Sequence, residues 1–107
     1  MKAVNIPARV VLVARSAKDL EVVVSEIEAD GGRAMAVAGD AAVATTVETM
    51  VSEAKRAFHG VDILVTCAAA GPAGGPTESL DAAAWRSVID LDLTGTFLAC
   101  QAAGRVM

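Results

Sequence analysis

Four short stretches of this chain carry residues that could do chemistry. Thr66-Cys67-Ala68-Ala69-Ala70-Gly71 follows the apolar run 61–65. Side chains this small at the carboxyl end of a buried strand let a flat ligand lie close to the backbone. Cys67 reads as a small buried residue rather than a nucleophile, because no His or Lys stands nearby in sequence to favour its thiolate. Asp90 and Asp92 are the acids of an otherwise uncharged stretch, 88–97. A carboxylate there can hold a water by hydrogen bonding, or it is an exposed helical acid with no role. Arg15-Ser16 stands where an apolar run gives way to a helix. A guanidinium can grip a phosphate through two parallel donors; the alternative is a solvated charge at a helix start. Asp40, after Gly39, can accept an N–H from a ligand or cap the helix that follows, and the two roles are compatible.

The elements that must position these residues alternate regularly. Residues 8–14 (Ala-Arg-Val-Val-Leu-Val-Ala) form a short apolar run rich in β-branched side chains, as a strand buried on both faces does. Ser16 is an N-cap candidate with Asp19 three residues on, and Leu20, Val23, Val24 and Ile27 recur at helical spacing. Asp30-Gly31-Gly32 stops that helix. A second strand is expected at 34–38, closed by Gly39-Asp40. A second helix is expected over 43–58, with Val47, Met50, Val51, Ala54 and Phe58 on one face, and His59-Gly60 as its stop. The third strand is expected at 61–66, followed by a Gly/Pro/Ala-rich loop at 69–77. Asp81 then reads as an N-cap, with Leu80 and Trp85 placed for a hydrophobic staple. From Ala82 the chain can be helical almost to Met107, and Thr94-Gly95-Thr96 can bend it or bring backbones close. Strand and helix in strict alternation argue for a parallel sheet with helical crossovers, with no internal repeat and no domain boundary.

Composition narrows the class. With 107 residues, 54% of them hydrophobic, the chain can bury one real core and is too apolar for a disordered protein. Aromatics are 3%, so Ala, Val, Leu and Ile must build that core, a mixture suited to helices packed on a parallel sheet. The formal net charge of −4 comes with no basic stripe, which gives nucleic-acid binding no support. The apolar run ending at Ala14 is too short for a membrane span, and the N-terminus does not read as a signal peptide. Cys67 and Cys100 lack metal-like spacing and read as free thiols, which makes a soluble cytoplasmic protein the default expectation.

In this order, the motifs resemble the interior of a classical short-chain dehydrogenase/reductase, over essentially everything after residue 8. The resemblance implies an α/β fold: a partial Rossmann-like three-layer arrangement with a parallel sheet. In that family an acid after the second strand accompanies NAD, whereas an Arg there accompanies NADP. Ala14-Arg15-Ser16 occupies that place without an acid, so the resemblance implies NADP in preference to NAD, with Arg15 and Ser16 at the ribose phosphate. Gly39-Asp40-Ala41 matches the place where the family holds the adenine amino group. Thr66-Cys67-Ala68-Ala69 stands where the family usually has Asn-Asn-Ala-Gly. Ala68 agrees, both Asn are gone, and Cys67, Ala68 and Ala69 would floor the nicotinamide ribose. Asp92 falls where most members carry a catalytic Asn that helps hold a water in the proton relay. Cys-Ala-Ala at 67–69 and Asp at 92 both resemble the 2,4-dienoyl-CoA reductase branch.

The resemblance also marks what is missing. The family's first strand and Gly-rich phosphate loop would precede residue 8, and nothing in residues 1–7 is similar to them. The sequence contains no Tyr, whereas the family's general acid is a Tyr assisted by a Lys. The expectation is therefore a single truncated domain over 1–107, inactive as written, from a reductase that passes hydride to a carbonyl or an enoyl-CoA. In the family the absent strand lies between the strands at 8–14 and 61–66, so the latter is left without a neighbour. Direct pairing of the two, dimerisation or a loose fold all stay open. A competing expectation is a non-catalytic α/β module that oligomerises through 82–107 or binds nucleotides weakly. Ala83, Ala99, Ala102, Ala103 and Gly104 give that helix a small-residue face, which would serve either a sister subunit or the interior.

Overall fold

Strands β1 (Arg9–Ala14) and β2 (Arg33–Ala38) pair in parallel with no slip, from Arg9 against Arg33 to Ala14 against Ala38. The computed structural model describes residues 8–71 and 74–107. The reading of residues 1–7 as lacking a phosphate loop lies outside them, as do Pro72 and Ala73 of the 69–77 loop. Helix α1 (Ala17–Ala29) makes the crossover and packs chiefly on β2. It starts as the sequence predicts: the Asp19 N–H donates to Ser16 Oγ at 3.2 Å. The chain turns back through Gly31, whose φ of +89° is the left-handed backbone that only glycine adopts without strain.

Helix α2 (Ala44–Phe58) buries Val47, Val51 and Ala54, the stripe that its 3.6-residue period predicts. It ends at His59, which adopts φ 68° and donates its N–H to the Lys55 carbonyl. Leu20 from α1 and Val37 from β2 complete this part of the core. Val10, Val11, Leu12 and Val13 are all half-buried. Successive side chains of a strand point to opposite faces, so four such residues in a row mean both faces of β1 are covered. Helix α1 and helix α2 supply that cover, and α2 in turn carries α4 (Thr96–Gly104). This is the expected α/β, Rossmann-like layering around a parallel sheet.

Residues 61–66 correct one expectation. They form no strand, and the sheet has two strands rather than three among the described residues. Ile63 is 81% exposed and Val65 73%. No strand lies beside them among the described residues: a parallel strand is held by its ladder, and β propensity without a ladder does not make one. Cys67 shares this fate and is exposed, not buried as its size suggested.

After a 3₁₀ turn at Thr77–Ser79 that the sequence did not signal, helix α3 (Ala82–Val88) begins at Asp81. Asp81 Oδ1 accepts the Ala83 N–H at 3.3 Å, the predicted cap. Trp85 stays 58% exposed, so a staple with Leu80 covers little of it. The long C-terminal helix is interrupted by a π turn at Ile89–Gly95 before α4 resumes. Ala103 is 1% exposed and α4 packs on α2, so this part of the small-residue face serves the interior. No helix among the described residues is long and apolar enough to cross a membrane.

Candidate cofactor-binding site

The parallel register assembles the first part of the site. Because Ala14 pairs with Ala38, Arg15-Ser16 and Gly39-Asp40-Ala41 leave the sheet side by side at its carboxyl edge. The Gly39 N–H donates to the Ala14 carbonyl at 2.9 Å and extends the ladder one step further. Adjacent strands lie about 4.8 Å apart, so two stretches far apart in sequence become neighbours. Arg15, Ser16 and Asp40 are exposed there. Ser16 Oγ accepts the Asp19 N–H, which leaves its hydroxyl proton free to donate to another partner.

Asp40 builds a turn rather than a cap. Its Oδ1 accepts the Ala42 N–H at 2.9 Å, and its carbonyl accepts the Val43 N–H at 3.0 Å. The N-cap of α2 is Val43, whose side chain makes no capping bond. One carboxylate oxygen of Asp40 is thus committed to shaping the loop, and Oδ2 can still accept an N–H from a ligand.

The π turn joins the remaining parts. Gly95 is buried, and a Cβ placed on it would stand 3.0 Å from the Ala41 carbonyl oxygen and 3.3 Å from that of Asp90. Three residues earlier, Asp92 Oδ1 accepts the Ala70 N–H at 2.8 Å, a link across 22 residues of sequence. The Asp92 carbonyl accepts the Thr96 hydroxyl at 2.8 Å. A π turn inserts one residue into the helical ladder and frees backbone groups that an α-helix would pair. Asp92, Ala70 and Ala41 therefore meet around one irregular turn, with Ala68 and Ala69 immediately before Ala70. Asp92 is exposed, and its carboxylate ties down the small-residue strip. Cys67 is a free thiol outside this bond. Gly95 and Ala70 were not named as site residues, although the sequence marked 94–96 as a place where backbones come close and 66–71 as a small-residue strip. A glycine in mid-helix was their signal, but its partner, the Ala41 carbonyl, is a tertiary fact.

An ion pair, Glu53 with Arg56, lies apart from this edge. The hydrogen bond from Arg56 holds the Glu53 carboxyl below its ordinary range, and the same bond raises Arg56. This pair sits on the last turns of α2, at the far end of that helix from Asp40. The site itself is organised by backbone geometry together with the bonds that Ser16, Asp40 and Asp92 side chains accept from backbone N–H groups.

A family model described as short chain dehydrogenase matches residues 2–107. D-threitol dehydrogenase from Mycolicibacterium smegmatis is 33% identical over 100 residues, covering 94% of this chain and 38% of that protein. A 3-oxoacyl-[acyl-carrier-protein] reductase from Synechocystis is 35% identical over 102 residues, covering 92% of this chain and 39% of that protein. Among solved structures, a metagenomic short-chain oxidoreductase in complex with NADP superposes with a TM-score of 0.84 at 33% identity, over 92% of this chain and 44% of its own. The chain belongs to the short-chain dehydrogenase/reductase family, whose members are oxidoreductases that use nicotinamide cofactors. It spans well under half the length of these relatives. The two relatives carry different activities at nearly equal identity, so identity singles out no branch, the dienoyl-CoA reductases included.

Proposed function

We propose that these 107 residues carry the adenosine end and part of the nicotinamide floor of an NADP-dependent short-chain reductase site. The observation that supports this most is the shared carboxyl edge of β1 and β2, which sets Arg15 and Ser16 beside Asp40 and Ala41. A 2′-phosphate there would meet the Arg15 guanidinium, the Ser16 hydroxyl and the amino end of α1, and no acid in the Ala14-Arg15-Ser16 stretch would repel it. An adenine amino group would reach Asp40 Oδ2, while Cys67, Ala68 and Ala69 leave room for a flat ring against the backbone. No described residue is assigned to the pyrophosphate, so the fit extends to the two ends of the cofactor.

When bound, the nicotinamide supplies hydride at its C4. The acceptor class would be a carbonyl or, if the dienoyl-CoA branch applies, an enoyl-CoA thioester. The role read for Asp92 is to hold the strip beneath that ring and, in the Asn slot of the family, to support a proton relay. With no Tyr anywhere in the sequence, these residues alone bind cofactor without turnover. The cytoplasm, where NADPH is used, is the matching compartment. The test is a titration of amide NMR signals with NADPH and with NADH. Shifts at Arg15, Ser16, Asp40 and Ala41 and at Cys67, Ala68 and Ala69 with NADPH, with affinity at least about tenfold weaker for NADH or in Arg15→Ala, support the reading. Equal response to both cofactors would reduce it to a generic nucleotide site.

A second reading, association of two copies through 82–107, has its own support. Trp85, Leu93 and Phe97 are each more than half exposed along that segment, a large apolar surface for so small a protein. Sedimentation distinguishes the two: a strictly monomeric folded chain removes the second reading and leaves the first intact.

A further inference from the structure

We propose that Gly95 is a positioning residue that couples the two ends of the cofactor site through the π turn. The inference rests on the cofactor reading above. Gly95 is buried in a helical stretch, where glycine is the least favourable residue short of proline. Propensity alone therefore asks for alanine. The reason against alanine lies in its surroundings: an added Cβ would come within 3.0 Å of the Ala41 carbonyl and 3.3 Å of the Asp90 carbonyl. Both neighbours are backbone, so neither can rotate out of the way as the tip of a side chain would. The π turn can sit this close to the Asp40–Ala42 loop because position 95 has no side chain.

The same turn carries Asp92, whose carboxylate holds Ala70 at 2.8 Å. Ala41 lies at the adenosine end of the site, and Ala70 borders the nicotinamide strip. A single turn touches both, with Gly95 allowing one contact and Asp92 making the other. The close approach of Gly95 to Ala41, which would leave an added Cβ only 3.0 Å from the carbonyl oxygen, and the 2.8 Å hydrogen bond at the other end cannot both persist if the turn is pushed outward. Moving either contact should therefore move the other. Gly104 supplies the control, because an added Cβ there meets nothing within 4 Å.

The experiment compares amide NMR spectra and melting of the 107-residue chain with those of Gly95→Ala, Asp92→Ala and Gly104→Ala, each with and without NADPH. Coupling predicts that Gly95→Ala shifts the Ala41 and Ala42 amides and, 25 residues away in sequence, the Ala70 amide. It also predicts a lowered melting temperature and NADPH affinity reduced by about tenfold, equivalent to about 1.4 kcal/mol of binding free energy. Gly104→Ala should leave all of these signals in place. A raised melting temperature with an unmoved Ala70 amide would overturn the proposal and return Gly95 to an ordinary helical position. If Gly95→Ala does not fold, Asp92→Ala decides: it replaces an exposed acid, and silence at Ala41 and Ala42 overturns the coupling. If the unmodified chain shows no response to NADPH, the cofactor reading fails, while the Ala70 and Ala41 amides still report whether the coupling exists.

Discussion

Residues 9–14 and 61–66 have nearly the same composition and opposite fates. Arg9-Val10-Val11-Leu12-Val13-Ala14 is paired residue by residue with β2 and lies between helices. Val61-Asp62-Ile63-Leu64-Val65-Thr66 is nearly as apolar, four residues against five, and more β-branched, yet it forms no strand and turns Ile63 and Val65 to solvent. Intrinsic preference cannot separate them. What differs is the partner: β1 has β2 returned to its side by a single helical crossover, and 61–66 has nothing comparable among the described residues. A strand is a property of a pair, and parallel strands need neighbours and cover on both faces to be stable.

The sharpest way to break this comparison is to place a carboxylate in each region. Val37 is buried on β2, so Val37→Asp desolvates an unpaired charge in the core and should cost about 4 kcal/mol or more, enough to abolish folding of a marginal domain. Ile63→Asp puts the same charge where the side chain is already 81% exposed and should change stability by no more than about 0.5 kcal/mol. Urea midpoints read both. Equal losses at the two positions would mean that 61–66 is paired in solution, by a second copy or by residues outside those described, and the contrast would collapse.

The same contrast explains what could be read from the sequence. Features decided within one or two turns of chain were legible. Ser16 and Asp81 cap the helices where their spacing said they would, His59 stops α2, and the stripe Val47, Val51, Ala54 faces inward. The α/β class followed from the alternation of these elements. Features decided by contacts distant in sequence were not legible. The ladder missing at 61–66 is one. The π turn is another in part: 94–96 read as a place where the helix bends or backbones come close, but the partner, the carbonyl of Ala41, lies 54 positions earlier. In the site, Arg15, Ser16, Asp40 and Ala41 could be nominated from sequence, but the register that sets them side by side could not. Nor could the bond that turns Asp92 from a free acid into a tie on Ala70.

Local features should also be individually modest, which sharpens the comparison from its other side. Ser16→Ala removes the acceptor for the Asp19 N–H at the start of α1. That bond is exposed, so the expected cost is about 0.5–1 kcal/mol, at the low end for an N-cap. The urea midpoint should fall slightly with an unchanged slope, since no core surface is altered. A loss as large as that of Val37→Asp would mean that the α1 start is coupled to the β1–β2 ladder, and that local and distant contributions do not separate in this chain.

The smallest effect belongs to the Glu53–Arg56 pair at the far end of α2. It is an i,i+3 contact on a solvent-exposed face, screened by water and salt, so it should contribute little. Its sign is nevertheless fixed. The Arg56 hydrogen bond holds the folded-state Glu53 carboxyl below its unfolded value, near about 4.3 for a free Glu. The contribution is therefore fully present above that range and disappears as pH falls through the lowered folded value, where both states are protonated. Denaturation midpoints of the chain and of Glu53→Gln should differ slightly and constantly between pH 7 and pH 6. They should converge in acid, and also in about 1 M salt, where the screening length shrinks to about 3 Å. A gap that instead widened as pH fell would mean that Glu53 is stabilised in its protonated form, which would reverse the role assigned to Arg56.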